Sequence, residues 1–209
     1  DILQGVITVS GNDASVALAE HISGDENTFA IYMNQVAKNI GLINTNYTNS
    51  TGLPNDSLYT TAEDIALLSR SLISNFPNLY KLYSTKSFKF NDIKQYSRNK
   101  LLFIDDNVDG IKTGFTNAAG YCLASSAKRG NRRLIAVVMG APTPDIRIQS
   151  SRTLLEYGFR FFETHKLFKK DTEISKARVY GGEKSEVKFG VDRDSSVTIP
   201  RRQKKNLKY

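Results

Sequence analysis

Val108-Asp109-Gly110-Ile111-Lys112-Thr113-Gly114-Phe115-Thr116 is the stretch whose reading decides the fold. An apolar, β-favouring approach runs into Lys-Thr-Gly, and a second apolar strand pattern follows soon after. Lys112 brings a positive charge that can draw in an anionic substrate and lower the pKa of a neighbouring proton-transfer group. Thr113 offers a hydroxyl to a carboxylate. Gly114 lacks a Cβ, so another backbone or a ligand can lie against the strand. The N–H of Phe115 can then point at an acyl oxygen as one half of an oxyanion hole. Taken alone, the run also fits an ordinary strand with a surface lysine and a hairpin glycine, because three fixed letters are a weak signal.

Outward from it, Gly120 to Ser126 and Arg133 to Gly140 read as two strands joined by the polar turn Arg129-Gly130-Asn131. Lys112, Tyr121 and Leu134 then lie on neighbouring antiparallel strands. Pro142-Thr143-Pro144-Asp145 ends the last strand and begins a helix to about His165, striped by Ile148, Leu154, Leu155, Phe159 and Phe162. Upstream, Phe88-Lys89-Phe90 and Ile93-Lys94-Gln95-Tyr96 form a hairpin turning at Asn91-Asp92. Three helices precede it. The first follows Ser10-Gly11 with Asn12 or Asp13 as cap and stops at Gly24. The second runs from about Glu26 to Asn39 with Phe29, Met33, Val36 and Ile40 on one face. The third is capped by Thr60 or Thr61 and buries Ile65, Leu68 and Leu72. Asn44 to Asn55 is an ordered loop rich in Asn, Thr, Gly and Pro. Pro77 marks a break before a short helix. The result is an α+β domain, a helical lobe beside an antiparallel sheet. After Lys169 the composition turns polar and basic, with short strands at Val187–Val191 and Val197–Pro200. A boundary near residue 170 separates a first domain, 1–170, from the beginning of a β-rich one, 171–209.

The chain has 209 residues, 40% of them hydrophobic, enough for one well-buried domain and part of another. Its net charge of +8 does not indicate nucleic acid, because no RNA-binding motif or aromatic-interleaved basic strand accompanies it. Such a surface suits anionic cell wall or an anionic membrane face. Cys122 is the single cysteine, so no intrachain disulfide forms, and its apolar strand setting reads as packing. His21 and His165 fall far apart on predicted helices and supply neither zinc spacing nor a Ser-His-Asp triad. No metal or cofactor is expected. No apolar run is long enough to span a bilayer.

A second signature, Ser10-Gly11-Asn12, stands about a hundred residues before Lys112. Ser-x-Asn ahead of Lys-Thr-Gly is the order found in serine penicillin-recognising enzymes. Val9-Ser10-Gly11-Asn12-Asp13-Ala14, Ala17 to Ile22, Thr51-Gly52-Leu53-Pro54, Asp109 to Gly114 and Tyr157 to Phe162 together resemble the low-molecular-weight D-alanyl-D-alanine carboxypeptidases, the penicillin-binding-protein-5 type of peptidase family S11. The resemblance covers nearly the whole chain.

It implies a β-lactamase-like, penicillin-recognising fold and the trimming of D-alanine from peptidoglycan stems through an acyl-enzyme. The partners are stem peptides ending in D-Ala-D-Ala and β-lactams. It implies export to the periplasmic face of the cytoplasmic membrane, held by a C-terminal segment outside this chain. Ser10 becomes a proton shuttle, Lys112 the other end of the relay, and Asn12 a clamp for the substrate peptide group and a catalytic lysine. The Ser10 hydroxyl and the Lys112 ammonium are expected to face each other across a shared cleft. Thr113 and Arg147 bind the terminal carboxylate, Gly114 and the Phe115 N–H line the acyl site, and Arg98 is a further active-site arginine. Phe115 stands where close relatives often carry histidine, which bears on substrate preference or pH profile. The family's acylating Ser-x-x-Lys is expected several tens of residues before Ser10. Ser97 to Lys100, Ser125 to Lys128 and Ser185 to Lys188 have the spelling but fall after Ser10, in a loop, a strand and the second domain. The polypeptide as written is therefore expected to be inactive alone. A β-lactamase and a non-catalytic wall-binding module are the alternatives.

Overall fold

Three antiparallel strands organise the first part of the protein in the computed structural model, which describes residues 1–207. They are β3 (Val108–Thr116), β4 (Gly120–Arg129) and β5 (Arg132–Ala141), in the order β3-β4-β5. Lys112 lies opposite Ala124, which lies opposite Val137. The middle strand is covered on both faces, with Leu123, Ser125, Ser126 and Ala127 all buried. Its small side chains let neighbouring layers approach closely. Gly130 makes the β4–β5 turn with φ +57°, a backbone that favours glycine. The α+β architecture expected from the sequence is the one observed.

The helices begin and end where local chemistry dictates. Asp25 caps α3 (Glu26–Asn39) by accepting the Thr28 N–H at 2.9 Å, and Thr61 caps α4 (Ala62–Asn75) by accepting the Asp64 N–H at 3.2 Å. Gly24, at φ +84°, ends α2 (Asn12–Ser23). The cap of α2 differs from expectation: Gly11 occupies it, and the Asp13 carboxylate turns back to the Ala14 N–H at 2.8 Å. The cause lies upstream. A short helix α1 (Ile2–Gln4) runs into a π-helical turn at Gly5–Val9, and Ser10 leaves that turn in the left-handed conformation. Proline begins α5 (Pro77–Tyr80), where its missing N–H is harmless, and a 3₁₀ turn, Lys81–Ser84, follows. The hairpin β1 (Ser87–Phe90) and β2 (Ile93–Tyr96) turns at Asn91-Asp92, both at positive φ, as a type I′ turn requires. A one-turn helix, α6 (Leu101–Ile104), buries Leu101 and Leu102 before the sheet begins.

Helix α4 and the turn after it pack on the sheet: Ile65, Leu72, Ile73, Tyr80 and Tyr83 meet Ile111, Ala124 and Val137. Val36, expected to face inward, is exposed, and α3 instead buries Ala30 and Ala37. The loop at 44–60 is ordered by side chains. Asp64 is buried and accepts the Asn44 N–H at 2.8 Å and the Thr45 hydroxyl at 2.6 Å. Asn34 and Tyr47 exchange two bonds of 2.7 Å, and Glu26 accepts the Ser50 N–H at 3.0 Å.

The chain divides into two compact units, Asp1–Leu155 and Glu156–Tyr209. Helix α7 (Pro144–Phe161) runs from the first into the second. It ends four residues short of the expected end, and His165 belongs to a strand, β6 (Phe162–Phe168), not a helix. Tertiary pairing captures the apolar run: β6 pairs with β9 (Ser195–Pro200), and the Arg201 N–H donates to the Phe161 carbonyl at 2.8 Å. Of the expected stripe Ile148, Leu155 and Phe159 are buried, Phe162 is half-buried and Leu154 is exposed; the polar Arg147 and Ser151 are buried as well. The other pair of the second unit is β7 (Glu173–Arg178) with β8 (Glu186–Gly190). Neither β6 nor β7 is legible as a strand in the sequence. Among the described residues, no helix is long and apolar enough to cross a membrane.

Candidate active site

Ser10 is held by backbone rather than by packing. Its φ and ψ are 59° and 47°, and its N–H returns to the Gly5 carbonyl. The turn before it is anchored: the buried Thr8 donates to Gln4 at 3.0 Å, Gln4 donates to Thr85 at 3.3 Å, and the Arg98 N–H donates to the Thr8 carbonyl at 3.1 Å. A serine hydroxyl on so constrained a backbone has few directions in which to point.

Lys112 reaches it from β3. Its Nζ donates to Ser10 Oγ and, at 2.9 Å, to the Thr113 carbonyl. Residues 102 apart in sequence are thus joined directly. Burial, followed by the like charges of Arg98 and Arg147, pushes Lys112 down to about 8. The sequence suggests a fixed cation there, but the structure makes a group that is partly neutral near pH 8. It can therefore either give or take a proton along its bond to Ser10.

Asn12 is exposed in the first turn of α2. Thr113 lies opposite Leu123 and is half-buried. A Cβ on Gly114 would meet only Cys122 Cβ, at 3.9 Å, so nothing inside the protein demands glycine there. What the missing side chain provides is an open strand surface. Phe115 is 52% exposed and stacks on Tyr121 with centroids 4.2 Å apart. Beyond Tyr121 lies Arg147, only 7% exposed, its Cζ 5.7 Å from the ring and its Nη1 donating to the Cys122 carbonyl at 3.5 Å. The Arg147 Nε is buried without a partner among the described residues. Cys122 itself is half-buried. The Arg98 side chain is exposed, and its charge acts on Lys112. Of the other Ser-x-x-Lys strings, Ser125 is buried in β4 with its hydroxyl on the Ala136 carbonyl at 3.2 Å.

The structure adds residues that sequence reasoning missed. Arg133 of β5 makes a forked contact with Asp109 of β3, 2.7 and 2.6 Å, and also donates to Ser126 Oγ at 2.5 Å. Tyr80 Oη donates to Asp109 at 3.0 Å, and the Arg133 guanidinium lies 5.3 Å from the Tyr80 ring centre. Separations of 24 and 29 residues give such a cluster no local sequence pattern.

Fold and site together define the class, that of the penicillin-binding proteins. Penicillin-binding protein 5 from Haemophilus influenzae superposes with a TM-score of 0.93 at 48% identity, over 98% of this chain and 60% of that one. Penicillin-binding protein D2 from Listeria monocytogenes, solved in its ampicillin-bound form, superposes with a TM-score of 0.72 at 35% identity, over 77% of this chain and 67% of that one. The family model for D-alanyl-D-alanine carboxypeptidase, peptidase S11, matches residues 1–143, and that for the penicillin-binding protein 5 C-terminal domain matches 162–209. The chain belongs to the S11 family of D-alanyl-D-alanine carboxypeptidases. D-alanyl-D-alanine carboxypeptidase DacC of Escherichia coli is 48% identical over all of this chain and 52% of its own length. The chain spans about half the length of the curated relatives it matches.

Proposed function

We propose that the protein containing this chain is a serine D-Ala-D-Ala carboxypeptidase, which removes the last D-alanine from peptidoglycan stem peptides and is acylated by β-lactams. The observation that carries the reading is the bond between Lys112 and Ser10 in a chain of the S11 family. A serine from a Ser-x-x-Lys motif outside these residues attacks the carbonyl of the penultimate D-alanine. The C–N bond breaks, the departing amine takes a proton, and water hydrolyses the ester. Ser10 and Lys112 carry the proton, a task that the low pKa of Lys112 suits. Asn12 orients the substrate peptide group. Thr113 binds the terminal carboxylate, with Arg147 and Arg98 supplying positive potential. The Phe115 N–H, beside the open strand at Gly114, supports the acyl oxygen. The first unit, Asp1–Leu155, belongs to the catalytic domain, and the second, Glu156–Tyr209, to a β-rich C-terminal domain rather than dividing near residue 170. The protein works on the outer face of the cytoplasmic membrane, anchored by a segment outside this chain.

Fluorescent penicillin and a D-Ala-D-Ala pentapeptide test the reading. A long-lived penicillin adduct together with D-alanine release supports it, and Lys112→Ala should abolish both while the fold is kept. Rapid turnover of the adduct without D-alanine release would make the protein a β-lactamase. Wall binding with no labelling would make it a binding module.

A further inference from the structure

We infer that Asp109, gripped by Arg133 and Tyr80, is a positioning residue that sets the register of the Lys-Thr-Gly strand and so aims Lys112 at Ser10. Its kinetic consequences rest on the carboxypeptidase reading. The geometry does not.

The argument begins at a β-bulge. Val108 lies opposite Ala127 but Gly110 lies opposite Ser126, so Asp109 is an extra residue in β3. Beyond the bulge Lys112 faces Ala124. A ladder continued from Val108 without it would bring Lys112 opposite Leu123. Directly paired residues share a face, and neighbours along a strand do not. The one-residue offset therefore decides which side of the sheet receives the lysine. On one side is the Ser10 hydroxyl; on the other is the site of Leu123, which is fully buried.

The side chain of the inserted residue is what the cluster holds. Both Asp109 oxygens accept from Arg133, which arrives from β5, two strands away. The same guanidinium donates to Ser126, the β4 residue at which pairing resumes after the bulge. One planar fork thus fixes the bulged residue against the position that defines the new register, a directional job for which guanidinium is suited. Tyr80 closes the third side through its hydroxyl, and it is itself buried. Gly110 lets the strand press against that ring: a Cβ there would lie 2.5 Å from Tyr80 Oη and 3.3 Å from Tyr83 Cβ. Lys112 is two residues further on.

The test uses the native protein with Asp109→Asn, Arg133→Met, Arg133→Lys and Tyr80→Phe. Two quantities are read: the rate of acylation by fluorescent penicillin per folded molecule, and the pKa of Lys112 from its ¹³Cε shift. Asp109→Asn and Arg133→Met should slow acylation roughly 10- to 100-fold, the scale of a displacement near 1 Å. For a D-Ala-D-Ala peptide kcat should fall more than KM rises, and Arg133→Lys should recover part of the loss. Lys112 should climb from about 8 towards 10.5 in the same variants. Acylation per folded molecule at the wild-type rate, with Lys112 still near 8, would overturn the inference whatever happens to Tm. Should Arg133→Met fail to fold, the isosteric Asp109→Asn and the hydroxyl-deleting Tyr80→Phe carry the same two readings. A wild-type protein that penicillin does not label would instead sink the carboxypeptidase reading, and the Lys112 titration would still decide the positioning role.

Discussion

Removing the Lys112 amine should change the pH dependence of stability in a definite direction. In the folded protein Lys112 titrates at about 8, against 10.5 for an ordinary lysine, because it is buried and faces Arg98 and Arg147. Between those values the unfolded chain holds more protons than the folded one, so stability rises with pH through that window. Below about pH 8 the charged amine is carried into the fold at full penalty; above 10.5 the penalty is gone. The shift corresponds to about 3 kcal/mol between pH 7 and pH 10.5, an upper value because water reaches part of the side chain. Tyr47, Tyr80 and Tyr83 act oppositely: burial raises them above 10, so the unfolded chain ionises first and stability falls above pH 10. The comparison of wild type with Lys112→Met cancels the tyrosines. Urea unfolding of both proteins at steps from pH 7 to 10.5 should reveal a difference that moves by about 3 kcal/mol in favour of the wild type as pH rises. A difference that stays flat, or moves the other way, would refute the buried, arginine-flanked lysine.

The remaining predictions follow from particular contacts. Gly110→Ala must displace Tyr80, and overpacking of that kind lowers stability by about 1–3 kcal/mol, measurable as a shift in the urea midpoint at unchanged slope. Asp64→Ala strands the Asn44 N–H and the Thr45 hydroxyl; a loss of about 2–3 kcal/mol is expected, with faster amide exchange across 44–60. Asp25→Ala removes the α3 cap and should cost about 1 kcal/mol by thermal unfolding. Arg147→Ala takes a like charge from beside Lys112, so the lysine's ¹³Cε titration should move upward.

What could be read from the sequence was whatever repeats over a few residues. The Asn91-Asp92 hairpin, the Thr61 cap and the β4–β5 turn all declare themselves in neighbouring letters, and the structure has each of them. The meeting of Ser10 with Lys112 has no such local sign. It was legible only because the two motifs come in a known order. The end of α7 is not legible in the sequence because Leu154 to Phe162 is apolar at helical spacing, while β9, more than thirty residues on, decides where the strand begins. Helix geometry alone could not expose the π-helical turn that moved the α2 cap to Gly11. Lys112 looked like a permanent cation because its charge state depends on burial and on two arginines from distant segments. Asp109 and Arg133 receive no joint role from the sequence, because only the sheet brings the two together.

Ser10 occupies a backbone conformation that suits glycine better than any residue with a Cβ. Glycine at this position would relax the chain and at the same time delete the hydroxyl that meets Lys112. Backbone ease and the contact with Lys112 therefore ask for different residues at this one position, and the serine keeps the contact at the expense of the backbone.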